Sequence, residues 1–282
     1  MKTNRYIIWQ QTQSTFIHVF LLSVALSCLF PLFWMVRCAF MNNDTVFIDK
    51  ALVPHVLNFG NFAVAWTKGN FAVYLFNSII YTVCVVGGIV LIASLAAFAF
   101  SRLKFPGKNI IFYIFVAGMM IPLPGSFVAL FVLMNKLHLI NTRLGYILCM
   151  INVGLSMSIL LLKTFFDKMP RDLEDAARID GCSKIGLWWH VALPLARPAI
   201  AVIVIFNALT VWNEYILATL LLGDSQLMPL QRGLMVFQGA NSTDYPVLMA
   251  GLTMAAIPII LIYLAMQKHI VKGLSSGEVA GY

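Results

Sequence analysis

Apolar and polar residues fall along this chain in long blocks rather than in the short periods of a soluble fold. Blocks of about 20 apolar residues are what a bilayer-spanning helix requires. Six of them can be placed: Phe16–Cys38, Phe71–Phe100, Ile110–Leu133, Leu144–Leu162, Pro198–Leu222 and Val247–Met266. The third carries Pro122-Leu123-Pro124-Gly125 near its middle. Missing N–H groups there predict a kink or a break. Irregular backbone at membrane depth is tolerated only against protein or a water-filled cavity. Pro122, Pro124 and Gly125 are therefore candidates for a solute path; a kink used for packing alone is the other reading. In the fifth block, Trp212-Asn213-Glu214-Tyr215 is the one strongly polar cluster, and Glu214 is the only acidic residue within an expected span. A carboxyl group inside such a segment is a functional candidate by default. Asn213 and Glu214 are thus candidates for an outer gate, a subunit contact or a solute contact, with interfacial anchoring as the alternative.

The polar island Met169–Pro194 interrupts the apolar blocks. Pro170 suits the first turn of a helix, and Asp172, Glu174 and Asp175 suit the positive end of its dipole. Leu173, Ala176, Ala177 and Asp180 are spaced three and four apart, which places them on one face. Gly181 stands where a helix end favours a residue free to take positive φ. Ser183 is positioned to cap a second helix over Lys184–Val191, which Pro194 is expected to stop. A narrow face of small apolar residues flanked by charges suits docking into a groove on another protein. An ordinary solvated loop between spans is the plainer reading.

Spacing inside this island carries a resemblance. Asp175-Ala176-Ala177, three residues, Gly181, nine residues, then Val191-Ala192-Leu193-Pro194 resembles the EAA signature of ABC-importer permeases. The run Glu174 to Gly181 is similar to the sugar-importer, maltose-type branch, with Asp175 in place of the usual Glu and Val191 in place of Ile. AAFAFSRLKFPGK at the end of the second block is similar to that family's exit from the corresponding span, and WNEY and the tail Gly273–Val279 are also similar to it. The resemblance implies an all-α integral membrane protein of type I ABC importer architecture, with six transmembrane helices and a cytoplasmic coupling helix. It implies an N-terminal tail, first helix and outer loop over 1–70, then a permease core over 71–282 with five helices and a coupling loop at 164–195. It assigns Leu173, Glu174, Asp175, Ala176, Ala177, Arg178, Asp180 and Gly181 to coupling with an ATPase. The implied function is ATP-driven import of a sugar, oligosaccharide or polyol, or a polyol phosphate, by alternating access. The implied partners are a homologous permease subunit, two ATPase subunits carrying ATP and Mg, and a solute-binding protein. The resemblance implies that the last outer loop, Gly223–Pro246, with Gly233, Gln238, Gly239, Asn241 and Ser242, meets that binding protein; its residues alone read as an exposed loop. The tail is expected either to reach between the ATPase subunits or to be a flexible terminus.

Composition agrees with a membrane protein. Of 282 residues, 61% are hydrophobic and 11% charged, against about 25% charged in soluble domains. The net charge of +8 resolves into loop asymmetry: with the N-terminus cytoplasmic, thirteen Lys and Arg face inward and six outward. This predicts that both termini are cytoplasmic, the resemblance implies the bacterial plasma membrane, and no nucleic-acid partner is needed to explain the charge. Lys2 and Arg5 precede an apolar stretch too long for a signal sequence, so it is read as a retained first span. The five cysteines form no CxxC pair and the five histidines are scattered, so no metal or bound cofactor is expected. No GxxxxGK[ST] run is present, so ATP is expected on a separate polypeptide. An ion-coupled secondary transporter is the alternative from another class; it predicts ionisable residues at mid-membrane and inverted repeats.

Overall fold

The computed structural model describes residues 2–120, 123–238 and 243–279, and side chains over 13–120, 125–238 and 243–264. Described elements are helical, apart from one isolated bridge between Gln238 and Thr243. In chain order the helices are α1 (Lys2–Ala39), α2 (Gly60–Lys68), α3 (Phe71–Arg102), α4 (Lys108–Gly118), α5 (Leu123–Lys136) and α6 (Arg143–Lys168). The island supplies α7 (Asp172–Ile179), α8 (Lys184–Leu187), a π turn over Trp188–Ala192 and α9 (Leu193–Leu195). Then come α10 (Arg197–Trp212), α11 (Ile216–Leu221), α12 (Leu230–Gly233) and α13 (Tyr245–Val279), with single 3₁₀ turns at Ser225–Leu227 and Leu234–Phe237.

All six apolar blocks are helical, but two are not continuous. Among the described residues, four helices are long and apolar enough to cross a membrane: Gln13–Ala39, α3, α6 and Tyr245–Leu264. The third block is two shorter apolar helices, α4 and α5, so the expected break is present. Pro122 lies outside the described residues. Pro124 falls in the first turn of α5, where a missing N–H costs nothing. The fifth block, expected as one span, parts at Asn213–Tyr215 into α10 and α11. At its start, Lys184–Leu195 and Arg197–Trp212 meet at 78°, a bent pair that is a broken span, the fifth candidate, or a re-entrant loop.

The chain forms two compact units. One gathers the N-terminal segment through Gly69 with Leu234–Met254. In it, the buried Arg37 at the end of α1 ties down the following loop: Nε donates to Ala51 O (2.6 Å) and Nη2 to Asp49 O (2.7 Å). Within the outer loop expected before residue 71 the chain forms α2, and its Asn61 donates to Ala39 O and Met41 O at 2.8 Å each. It is thus built into this unit by a buried side chain.

The other unit holds Asn70–Gly233 and the chain from Ala255. Its core is a stripe on α3, Tyr81, Val85, Ile89, Ala93 and Ala97, all fully buried. The repeat of four puts one residue per turn toward α6 and α10. Ala93 and Ala97 are small enough for helices to approach closely, the packing that membrane helices favour. α6 answers with Tyr146, Met150, Ile159, Leu162 and Phe166. α6 begins where Thr142 Oγ1 accepts the Gly145 N–H at 3.1 Å, an N-cap bond.

Candidate functional site

α7 is short and sharply two-sided. Its first turn holds Asp172, Glu174 and Asp175, and its last turn Arg178, so the charges oppose the helix dipole at both ends. It starts at Asp172 rather than at Pro170: Arg171 O accepts the first helical bonds from Glu174 N (2.8 Å) and Asp175 N (3.0 Å). It ends in a Schellman motif. Gly181 N–H reaches Arg178 O (3.0 Å), Cys182 N–H reaches back to Ala177 O (2.9 Å), and Gly181 sits between at φ +82°. The expected positive-φ glycine is therefore present at 181.

The single face expected for Leu173, Ala176, Ala177 and Asp180 divides in the structure. Ala177 turns inward and joins the buried core. Glu174 also turns inward, 5% exposed. The outward surface is formed by Leu173 (43% exposed) and Ile179 (86%), with Ala176, Asp172, Asp175, Arg178 and Asp180 around them. Ile179 was missed by sequence reasoning. The signal was available: an isoleucine three residues after Ala176, in the turn before the glycine. Arg178 stands 3.8 Å from both Glu174 and Asp175. Being half exposed and long, these pairs contribute little.

Glu174 turns inward because of Arg102, the last residue of α3. Nε of Arg102 lies 2.7 Å from Oε1 of Glu174, with both side chains nearly buried. The N–H is not aimed along that line, so this is a close ion contact rather than a linear hydrogen bond. Nη2 of the same guanidinium donates to Phe166 O and Met169 O at the end of α6. Beside it, Ser101 Oγ donates to Asp167 Oδ1 (2.7 Å), and Lys163 pairs with Asp167 Oδ2 (2.6 Å). One end of α3, one end of α6 and α7 are thus fastened at a single point.

The second helix of the island begins as its sequence predicts, with Ser183 Oγ accepting the Gly186 N–H at 3.1 Å. It does not run regularly over Lys184–Val191, and Pro194 does not stop it. From Trp188 the turn widens to π, with Leu193 N–H bonded to Trp188 O, and helix continues to Leu195. A proline ring clashes with the carbonyl four residues earlier; a wider turn relieves that clash.

Glu214 lies at the break between α10 and α11. Its Oε1 accepts Leu217 N–H (2.6 Å), and its Oε2 accepts Ala218 N–H (3.0 Å) and the Tyr146 hydroxyl (3.2 Å). It caps α11 and ties it to α6. Asn213 is exposed and donates to Leu209 O at 2.9 Å. Gly125 is exposed on α5, and the side chain of Pro124 is outside those described. Among the described residues, no hydrogen bond or ion pair joins Gly125, Asn213 or Glu214 to the residues of α7. Of the last outer loop, Gly239, Asn241 and Ser242 lie outside the described residues. The tail is helical through Val279, with its side chains likewise outside. Among the described residues, no three His, Cys, Asp or Glu side chains gather as metal ligands would.

The described residues hold helices long and apolar enough to cross a membrane, and a polar island of short helices that turns at Gly181. A family model described as "Binding-protein-dependent transport system inner membrane component" matches residues 88–276. The chain belongs to that family, the permeases of ABC importers, and is an integral, multi-pass membrane protein. It is similar to the probable ABC transporter permease protein YurM of Bacillus subtilis, 35% identical over 95% of this chain and 89% of that protein. It is also similar to the trehalose/maltose transport system permease protein MalG of Thermococcus litoralis, 33% identical over 92% and 94%. Among solved structures, the crystal structure of a bacterial ABC transporter involved in the import of the acidic polysaccharide alginate matches with a TM-score of 0.77. That match has 26% identity and covers 90% of this chain and 95% of that one. In this family ATP is hydrolysed by separate subunits and no cofactor is expected on the permease, which sets aside the ion-coupled alternative.

Proposed function

We propose that this chain translocates a carbohydrate, in the range from sugars and oligosaccharides to polyols and polyol phosphates, and that α7 is where an ATPase subunit drives it. The observation that carries the coupling role is the division of α7. Leu173, Ala176 and Ile179 face out with Asp172, Asp175, Arg178 and Asp180 around them, while Glu174 and Ala177 hold the helix to the bundle. A narrow apolar ridge with a charged rim fits the helix-in-groove mode of recognition. The carbohydrate class is supported by the trehalose/maltose and alginate systems to which the chain is similar.

In this reading the chain pairs with a homologous permease subunit, and two ATPase subunits sit below them. An extracytoplasmic binding protein delivers solute to the outer side. Closure of the ATPases on ATP displaces α7, and the packed helices switch the solute path between outward and inward access as a rigid body. The charge asymmetry, thirteen against six, supports cytoplasmic termini and a cytoplasmic α7. The functional division follows the sequence, with residues 1–70 peripheral, 71–282 the permease core and 164–195 the coupling loop.

The test is a crosslink from Ala176→Cys to candidate ATPase subunits in native membranes, with Cys182 first replaced by serine. Ala176 is chosen because it is exposed, whereas Ala177 is buried. A crosslink whose yield changes with ATP is the expected result. Import with no crosslink to any ATPase overturns the coupling role of α7.

A further inference from the structure

α7 has one polar tether to the helices behind it: among the described residues, the Glu174–Arg102 contact is the only side-chain ion pair or hydrogen bond joining α7 to α3 or α6. Arg102 also holds Phe166 O and Met169 O, so one guanidinium fixes α7 and the ends of two long helices at once. A planar fork suits this task because its donors are rigidly arranged, which a lysine ammonium cannot reproduce. Besides it, α7 is held by the buried Ala177 and by its chain connections, Met169–Arg171 on one side and the Gly181 turn on the other.

We propose that Arg102 is the positioning residue that makes α7 move as one body with α3 and α6. The proposal rests on the coupling role of α7 given above and names the point where force enters the helix bundle. The physical ground is the cost of slack. A displaced helix moves its neighbours only when the contact between them is stiffer than the hinges at its own ends. Here the connections are the Gly181 turn and the short Met169–Arg171 link, while the contact is a nearly buried charge pair. Separating the pair leaves Arg102 without its counter-charge and Glu174 with only the half-exposed Arg178 at 3.8 Å, so the pair resists opening when α7 is pushed.

The experiment is a spin-label distance measurement on the permease copurified with its ATPase subunits. Labels are placed at Ala176→Cys on α7 and Val83→Cys on α3, both exposed positions, with the five native cysteines replaced by serine. With Arg102 present, ATP plus vanadate is expected to leave this internal distance unchanged. In Arg102→Gln, and in the isosteric Glu174→Gln, the distribution is expected to broaden and shift by about 2 Å or more with nucleotide, the scale of helix shifts at interfaces. Arg102→Lys is expected to fall between the two, since it keeps the charge and loses the fork. An unchanged distance in both Gln variants overturns the proposal, and so does a nucleotide-dependent shift when Arg102 is intact. If Arg102→Gln fails to assemble, the isosteric Glu174→Gln decides alone. A third label on the ATPase separates the two ideas: no nucleotide-dependent change between it and Ala176→Cys in the parent overturns the coupling role itself.

Discussion

Asn207 of α10 occupies the space that a side chain at Gly154 of α6 would need. A Cβ at 154 would stand 2.0 Å from Asn207 Oδ1 and 2.6 Å from Ile89 Cδ1 of α3. The amide donates from Nδ2 to Ser158 Oγ (3.1 Å) and Ile203 O (2.9 Å), while Ser158 donates to Gly154 O (2.7 Å). Three helices converge on one glycine through a buried polar cluster. Small residues at such crossings let membrane helices approach, and polar side chains bond across them.

Gly154→Ala is therefore expected to destabilise the folded protein by about 1–3 kcal/mol, the usual cost of overpacking. A lowered thermal midpoint of the detergent-solubilised complex checks this. Adding Asn207→Ala to that variant removes the obstructing oxygen and is expected to recover part of the loss, since contacting residues couple by about 0.5–3 kcal/mol. An unchanged midpoint for Gly154→Ala would falsify the close approach.

Gly181 presents the opposite case, since no atom lies within 4 Å of the Cβ that would be added there. Any penalty arises from backbone conformation, φ +82°. Valine in this region costs about 1–3 kcal/mol, whereas asparagine tolerates it far better. Gly181→Val is expected to insert in the membrane at normal levels but to lose import, and Gly181→Asn to retain most of it. Uptake normalised to membrane-inserted protein checks both. Equal uptake by parent and Gly181→Val removes the need for the hinge.

Sequence periodicity reached the apolar helices and the two turns of the island because those depend on local chemistry. Pro122-Leu123-Pro124-Gly125 announced the break between α4 and α5, since prolines act on their own backbone. The break at Asn213–Tyr215 was not announced: no proline or glycine marks it, and the carboxyl group that caps α11 was read as a polar group within a continuous helix. The rotation of α7 was hidden for a different reason. Spacing alone allows Ala177 to share an outer face with Leu173 and Ala176. What turns Ala177 and Glu174 inward is Arg102, far upstream in the chain, and a contact between distant segments leaves no periodic trace. Pro194 misled in the other direction, because a π turn absorbs what a regular α-helix cannot.

Glu214 makes two backbone bonds and one side-chain bond, and their loss should be graded. Tyr146→Phe removes only the hydroxyl donor, a net loss of about 0.5–1.5 kcal/mol. Glu214→Gln keeps the shape but turns an NH₂ group toward one of the two backbone N–H groups, so a larger loss is expected. Amide hydrogen exchange at Leu217 and Ala218 reads this directly, because those N–H groups are the ones Glu214 accepts. Faster exchange in Glu214→Gln than in Tyr146→Phe is the expected order. The reverse order would show that the Tyr146 hydroxyl, and not the cap, holds α11 in place.

Asn77, buried near the start of α3, offers the last test, because it anchors a segment far from it in the chain. Its Nδ2 donates to Gln226 O (2.7 Å) and Met228 O (3.1 Å), and its Oδ1 accepts from Arg143 Nη2 (3.0 Å). Tyr81 adds a bond to Leu227 O (2.6 Å), and Ser78 Oγ accepts the Leu230 N–H (2.8 Å). Asn77→Ala leaves two carbonyls and one guanidinium donor without this partner, each a loss of about 1–3 kcal/mol where water cannot replace it. Tyr81 and Ser78 still grip the segment in that variant, so it should loosen without detaching. The expected result is exchange at the Leu227 and Leu230 amides faster by about tenfold or more, as a loss of about 1.4 kcal/mol implies. Ser78→Ala is expected to accelerate Leu230 while leaving Leu227 close to the parent rate, because it removes only the acceptor at Leu230. If Asn77→Ala changes neither amide, the segment is held by Tyr81 and apolar packing, and the Asn77 bonds contribute nothing to its order.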